Sequence, residues 1–105
     1  MINDIPRNAT LTFKHYTKGG ERVYIVTGRV AQTLWQLVRY NESGITALEM
    51  SNTWALRLAD YVHTLRHDYT LEIQTVMQPH DGGKHARYFL RSAVEILELV
   101  IPDKQ

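Results

Sequence analysis

Leu11, Phe13 and His15 alternate with Thr12, Lys14 and Tyr16, then Gly19-Gly20 interrupts the pattern before Arg22-Val23-Tyr24-Ile25-Val26. Two period-two runs rich in β-branched and aromatic residues around a Gly-Gly predict a β-hairpin over 11–26. The period then changes. Val30, Leu34, Leu37 and Val38 fall at helical spacing, widened by Trp35 and Tyr40, and Asn41-Glu42-Ser43-Gly44 reads as the stop. Thr46-Ala47-Leu48-Glu49 has the form of a capping box and predicts a short helix ending near Ser51-Asn52. A further helix is expected over 53–67, with Ala55, Leu58, Val62 and Leu65 on its buried side. Leu71, Ile73, Thr75 and Met77 alternate with Glu72, Gln74, Val76 and Gln78, the cleanest strand pattern in the chain. The turn 79–84 follows, and 85–90 returns with Ala86, Tyr88 and Leu90 on one side. Ser92 then opens a predicted C-terminal helix over 91–101, with Ala93, Ile96, Leu97 and Val100 on one face and Pro102 as its stop.

Composition narrows the function classes. The chain has 105 residues, 44% hydrophobic and 22% charged, as expected of one small globular domain over 1–105. The absence of cysteine excludes disulfides, zinc fingers and thiol catalysis. Ser43, Ser51 and Ser92 stand at predicted helix ends, where capping accounts for them, so no enzyme is expected. Neither Gly19-Gly20 nor Gly82-Gly83 is a phosphate-binding fingerprint, and no cofactor is expected. The N-terminus does not read as a signal peptide, and no apolar run approaches the ~18 residues of a membrane span. A cytoplasmic protein without membrane contact is the expectation.

The net charge of +1 hides a gradient. Residues 1–43 hold six basic residues against three acidic ones, whereas residues 44–90 hold four against five. Four histidines, His63, His67, His80 and His85, fall in that second block. Histidine gains charge near pH 6.5, so the block would become more positive on mild acidification. His63 and His67 stand one helical turn apart, a spacing that can chelate a metal, with Asp60 one turn earlier. Solvated surface histidines explain the same spacing, and no metal is expected.

The order over 29–90 is three helices followed by a two-stranded hairpin. The stretches Gly44-Ile45-Thr46-Ala47-Leu48-Glu49, Ala55 to Arg66, and Gly82-Gly83-Lys84-His85-Ala86-Arg87-Tyr88 resemble the small winged helix-turn-helix domains of phages and prophages. The resemblance implies an α+β fold with a three-helix core and a β-hairpin wing. The N-terminal hairpin and the C-terminal helix would be additions. It also implies double-stranded DNA as the partner, read by helix 53–67 in the major groove with the wing on phosphates. On the exposed side of that helix stand Thr53, Arg57, Asp60, His63 and Thr64, and on the wing Lys84, His85 and Arg87. Arg57 has the reach for a bidentate guanine contact. The function so implied is that of a small phage-type transcriptional regulator.

Asp60 at the centre of that face, exposed Leu56 and the near-neutral middle block support a different use of the same scaffold. That alternative is a protein-interaction module, such as a phage-encoded inhibitor of a host enzyme or defence complex. The C-terminal helix has two expected roles, covering the open side of the three-helix core or pairing with its copy in a homodimer. The apolar wealth of 93–99, more than one intramolecular stripe needs, favours the homodimer.

Overall fold

The computed structural model describes residues 5–47 and 57–102. The elements run β1 (Thr10–Thr17), β2 (Gly20–Thr27), α1 (Gly28–Arg39), β3 (Ile45–Thr46), α2 (Leu58–Asp68), β4 (Ile73–His80), β5 (Gly83–Leu90) and β6 (Ala93–Val100). Two antiparallel three-stranded sheets result, in the orders β2-β1-β6 and β3-β5-β4. The architecture is α+β, as the sequence pattern implies.

The β1–β2 hairpin forms in the register that places Phe13 opposite Tyr24 and Leu11 opposite Val26. Leu11, Phe13 and His15 turn inward and are buried, as their alternation predicts. α1 follows directly on β2, with Thr27 as its N-cap residue, and it buries Ala31, Leu34 and Leu37. Each buried leucine contributes about 1.5–3 kcal/mol over leaving it in water. The Gln32 side-chain amide donates to the Ile5 carbonyl at 2.7 Å and so ties the lead-in segment to α1. α2 contributes Leu58, Val62 and Leu65 to the same core, and β4 and β5 contribute Ile73, Tyr88 and Leu90. Tyr69, just beyond α2, packs edge-on against Phe13 and Tyr24. This ring cluster joins the inner face of the first sheet to the end of α2.

Two expectations are corrected. Residues 93–100 are not a helix but strand β6, paired antiparallel with β1. Val94, Ile96 and Leu99 face inward opposite His15, Phe13 and Leu11. The register shifts between Thr12 and Phe13, leaving Leu97 as an extra residue between Ile96 and Glu98. That bulge stretches a two-residue alternation into spacings of two and three, which imitate a helical stripe. The homodimer expected through a C-terminal helix therefore has no helix to use. Thr46, the expected first residue of the capping box, lies in β3 opposite Arg87 and is buried. The remainder of the short helix and the first turn of the helix expected over 53–67 lie outside the described residues.

Candidate nucleic-acid interface

α2 presents a charged outer side because the residues it buries are confined to Leu58, Val62 and Leu65. Arg57, Asp60, His63 and His67 are exposed there, and Thr64 is half-buried. Thr53 lies outside the described residues. Arg57 pairs with Asp60 at 3.4 Å, with both side chains about two-thirds exposed (68% and 66%). An ion pair so solvated holds its partners weakly, so the Arg57 guanidinium can exchange the carboxylate for another acceptor. The Thr64 hydroxyl donates to the Asp60 carbonyl at 3.2 Å. The rings of His63 and His67 lie 4.7 Å apart between centroids. Among the described residues no three His, Cys, Asp or Glu side chains converge as a metal site.

Strand alternation divides the wing residues between two faces. Thr75, Met77 and Lys84 share the face of Ile73, Tyr88 and Ala86, which is the α2 side. His85 and Arg87 share the opposite face with Gln78 and Phe89. Arg87 is anchored there. Its Nε donates to Gln78 Oε1 at 2.8 Å and its Nη1 to the Ser43 carbonyl at 3.1 Å. These bonds fasten the wing to the chain entering β3. Lys84 is exposed at the turn on the α2 side.

At the wing tip the Nδ1 atoms of His80 and His85 lie 2.9 Å apart. The ring planes differ by 20° and the centroids by 5.1 Å. The centroid separation exceeds the nitrogen separation by nearly two ring radii, so the rings meet edge to edge. One ring donates its Nδ1 proton to the other, and the pair bridges the two arms of the wing.

Arg66 is absent from the residues expected at the site, yet it joins the site's two halves. Its Nε donates to the Ile73 carbonyl at 3.1 Å, and Nη2 donates to Thr75 Oγ1 at 2.7 Å. It thus holds the last turn of α2 against the base of the wing. Nothing in the local sequence distinguishes Arg66 from a solvated helix residue, since its acceptors lie seven and nine positions away. Arg66→Ala is expected to lower stability by about 1 kcal/mol, a charged hydrogen bond discounted for its exposure, read as a shifted urea midpoint.

The basic residues of the N-terminal hairpin do not all join this surface. Lys14 points away from the face of the first sheet that Tyr69 packs on, and it pairs with Glu21 at 3.0 Å. That hydrogen bond and the Glu21 charge raise the Lys14 pKa above its ordinary value and keep it charged, while the adjacent carboxylate offsets part of its field. Tyr16, on the same outer face, donates to Glu95, and the bond raises its pKa.

The family described as the winged helix domain matches residues 23–100. The match begins within β2 and ends with β6, so it takes in the strand that replaces the expected C-terminal helix. No curated protein and no solved structure matches the chain.

Proposed function

The chain belongs to the winged helix domain family, and from that premise we propose that it binds double-stranded DNA. α2 enters the major groove and the wing meets the flanking phosphates. The observation that carries this reading is the outer side of α2. Arg57, His63 and Thr64 are presented there, with Lys84 on the matching face of the wing. Arg57 is the proposed base-reading residue and Thr64 or Thr53 reaches a base or a phosphate, with Asp60 holding Arg57 in place until DNA replaces it. Lys84 neutralises phosphate, while Arg87 and His85 set the wing's position from its other face. The finer reading is a small phage-type transcriptional regulator, supported by the resemblance of 44–49, 55–66 and 82–88 to such domains.

A selected duplex titrated by fluorescence anisotropy at two salt concentrations tests the reading. Affinity is expected to fall steeply with salt, with a logarithmic slope of about −0.9 per phosphate neutralised. Arg57→Ala is expected to weaken binding by about 1–3 kcal/mol and to relax preference at one base pair. Lys84→Ala is expected to weaken binding to every sequence alike and to reduce the salt slope by about 1. Failure of any duplex to bind at low salt, with both variants matching the parent, would sink the DNA reading.

The Arg57–Asp60 pair and, separately, the 56% exposure of Met77 on the wing favour a second reading, docking to a host protein. A carboxylate costs affinity near phosphate but suits a protein partner. Recovery of one dominant host protein that survives nuclease treatment, and is lost on Asp60→Lys, would select this reading.

A further inference from the structure

We propose that two copies of this chain associate through their β2 strands, joining the β2-β1-β6 sheets into one continuous six-stranded sheet. A sheet edge offers unpaired backbone N–H and C=O groups, and folds usually blunt it. Of the four edges described here, three are blunted. β3 is only two residues long. β4 carries Pro79, and Arg66 occupies the Ile73 carbonyl. β6 carries the bulge at Leu97 and two glutamates, Glu95 and Glu98, which self-pairing would bring together. β2 carries none of these devices. It is eight residues long, pairs with β1 without a register shift and contains no proline. Among the described residues, no backbone hydrogen bond from outside the hairpin reaches Glu21–Val26.

The side chains of β2 suit pairing with a second copy. Val23 is 55% exposed and Ile25 63% exposed, both on the outer face. In an antiparallel two-fold register centred on Tyr24, Val23 of each copy stands opposite Ile25 of the other. Two apolar cross-strand pairs form at once. Tyr24 meets its own copy, Arg22 stands opposite Val26, and Glu21 opposite Thr27, so no like charges face each other. Centring on Val23 instead would set Glu21 against Ile25. The two-fold axis makes the contact self-complementary and closed, which limits assembly to two chains.

The mass is measured without DNA, so the outcome is independent of the DNA reading. Sedimentation equilibrium should show the weight-average mass rising from 12.2 kDa toward twice that value. The rise is expected between about 1 and 500 μM, as suits a small interface that must offset the cost of association. Ile25→Lys, altered only on the solvent face, should keep the parent circular dichroism and, at about 1 μM where both are single chains, the parent melting temperature, yet stay at the single-chain mass over the whole range. The chain lacks cysteine, so the register is read directly by oxidative cross-linking. An equimolar mixture of Val23→Cys and Ile25→Cys proteins should cross-link several-fold more than either alone. A mass that stays constant over the whole range overturns the proposal. So does a dimer that Ile25→Lys leaves intact, or one in which the mixture does not cross-link, since another surface then makes the contact.

Discussion

Phe13→Ala is expected to destabilise the protein by about 3–5 kcal/mol, a large part of the 5–15 kcal/mol that holds a small domain folded. Phe13 is wholly buried in β1, with Tyr24 5.5 Å away on β2 and Tyr69 5.8 Å away at the end of α2. On the other side it stands opposite Ile96 of β6. The ring therefore fills the junction of three strands and a helix end, and no single neighbour can move in to close the space. Removing it loses the burial of the ring, its two aromatic contacts and the packing of what surrounds the void. Urea unfolding should show a lower midpoint with an unchanged slope, because the chain still exposes nearly the same surface on unfolding. Phe13→Leu, which keeps most of the volume, should cost far less. A loss below about 1 kcal/mol for Phe13→Ala would mean that the first sheet is not docked on α2 as described.

The same residue shows what the sequence makes legible. The alternation of Leu11, Phe13 and His15 is uninterrupted, so its inward face can be read directly, and so can those of Ile73 and of Ala86, Tyr88 and Leu90. α1 is legible because Leu34 and Leu37 recur at the helical period without glycine or proline between them. β6 is not legible because Leu97 interrupts its phase, and the shifted residues then satisfy a helix template equally well. β3 is hidden for a different reason. Thr46 and Glu49 have capping-box chemistry, but Ile45 and Thr46 are held by pairing with Tyr88 and Arg87, more than forty residues away. Long-range pairing leaves no local trace. The candidate site is legible to the same depth. Alternation that turns Ala86 and Tyr88 inward must turn Arg87 the other way, so its separation from Lys84 follows from parity. That Arg87 finds the Ser43 carbonyl, and Arg66 the Ile73 carbonyl, follows only from the packed fold.

Gly44→Ala is the second substitution expected to have a large effect, about 2–5 kcal/mol, from backbone strain and a clash acting together. Gly44 has φ +72°, a left-handed conformation that costs an ordinary residue about 1–2 kcal/mol. A Cβ there would stand 2.8 Å from the Tyr88 carbonyl oxygen, 2.8 Å from the Phe89 ring and 3.0 Å from Arg87 Cγ. The Phe89 and Arg87 side chains can shift, but the Tyr88 carbonyl cannot move without disturbing the pairing of Ile45 with Tyr88. Gly82, in the wing turn, supplies the control. Its φ is +84°, yet no atom lies within 4 Å of a Cβ built on it. Gly82→Ala should therefore show the strain alone, and the excess for Gly44→Ala measures the contact with β5. Equal losses at the two positions would remove the close approach from the account. The excess also has a functional consequence. The Ser43 carbonyl that holds Arg87 is next to Gly44, so relief of the clash by moving this segment releases the wing from β3. Gly44→Ala should then weaken DNA binding even where the protein remains folded, while Gly82→Ala should not, and anisotropy at a temperature well below both melting transitions separates the two.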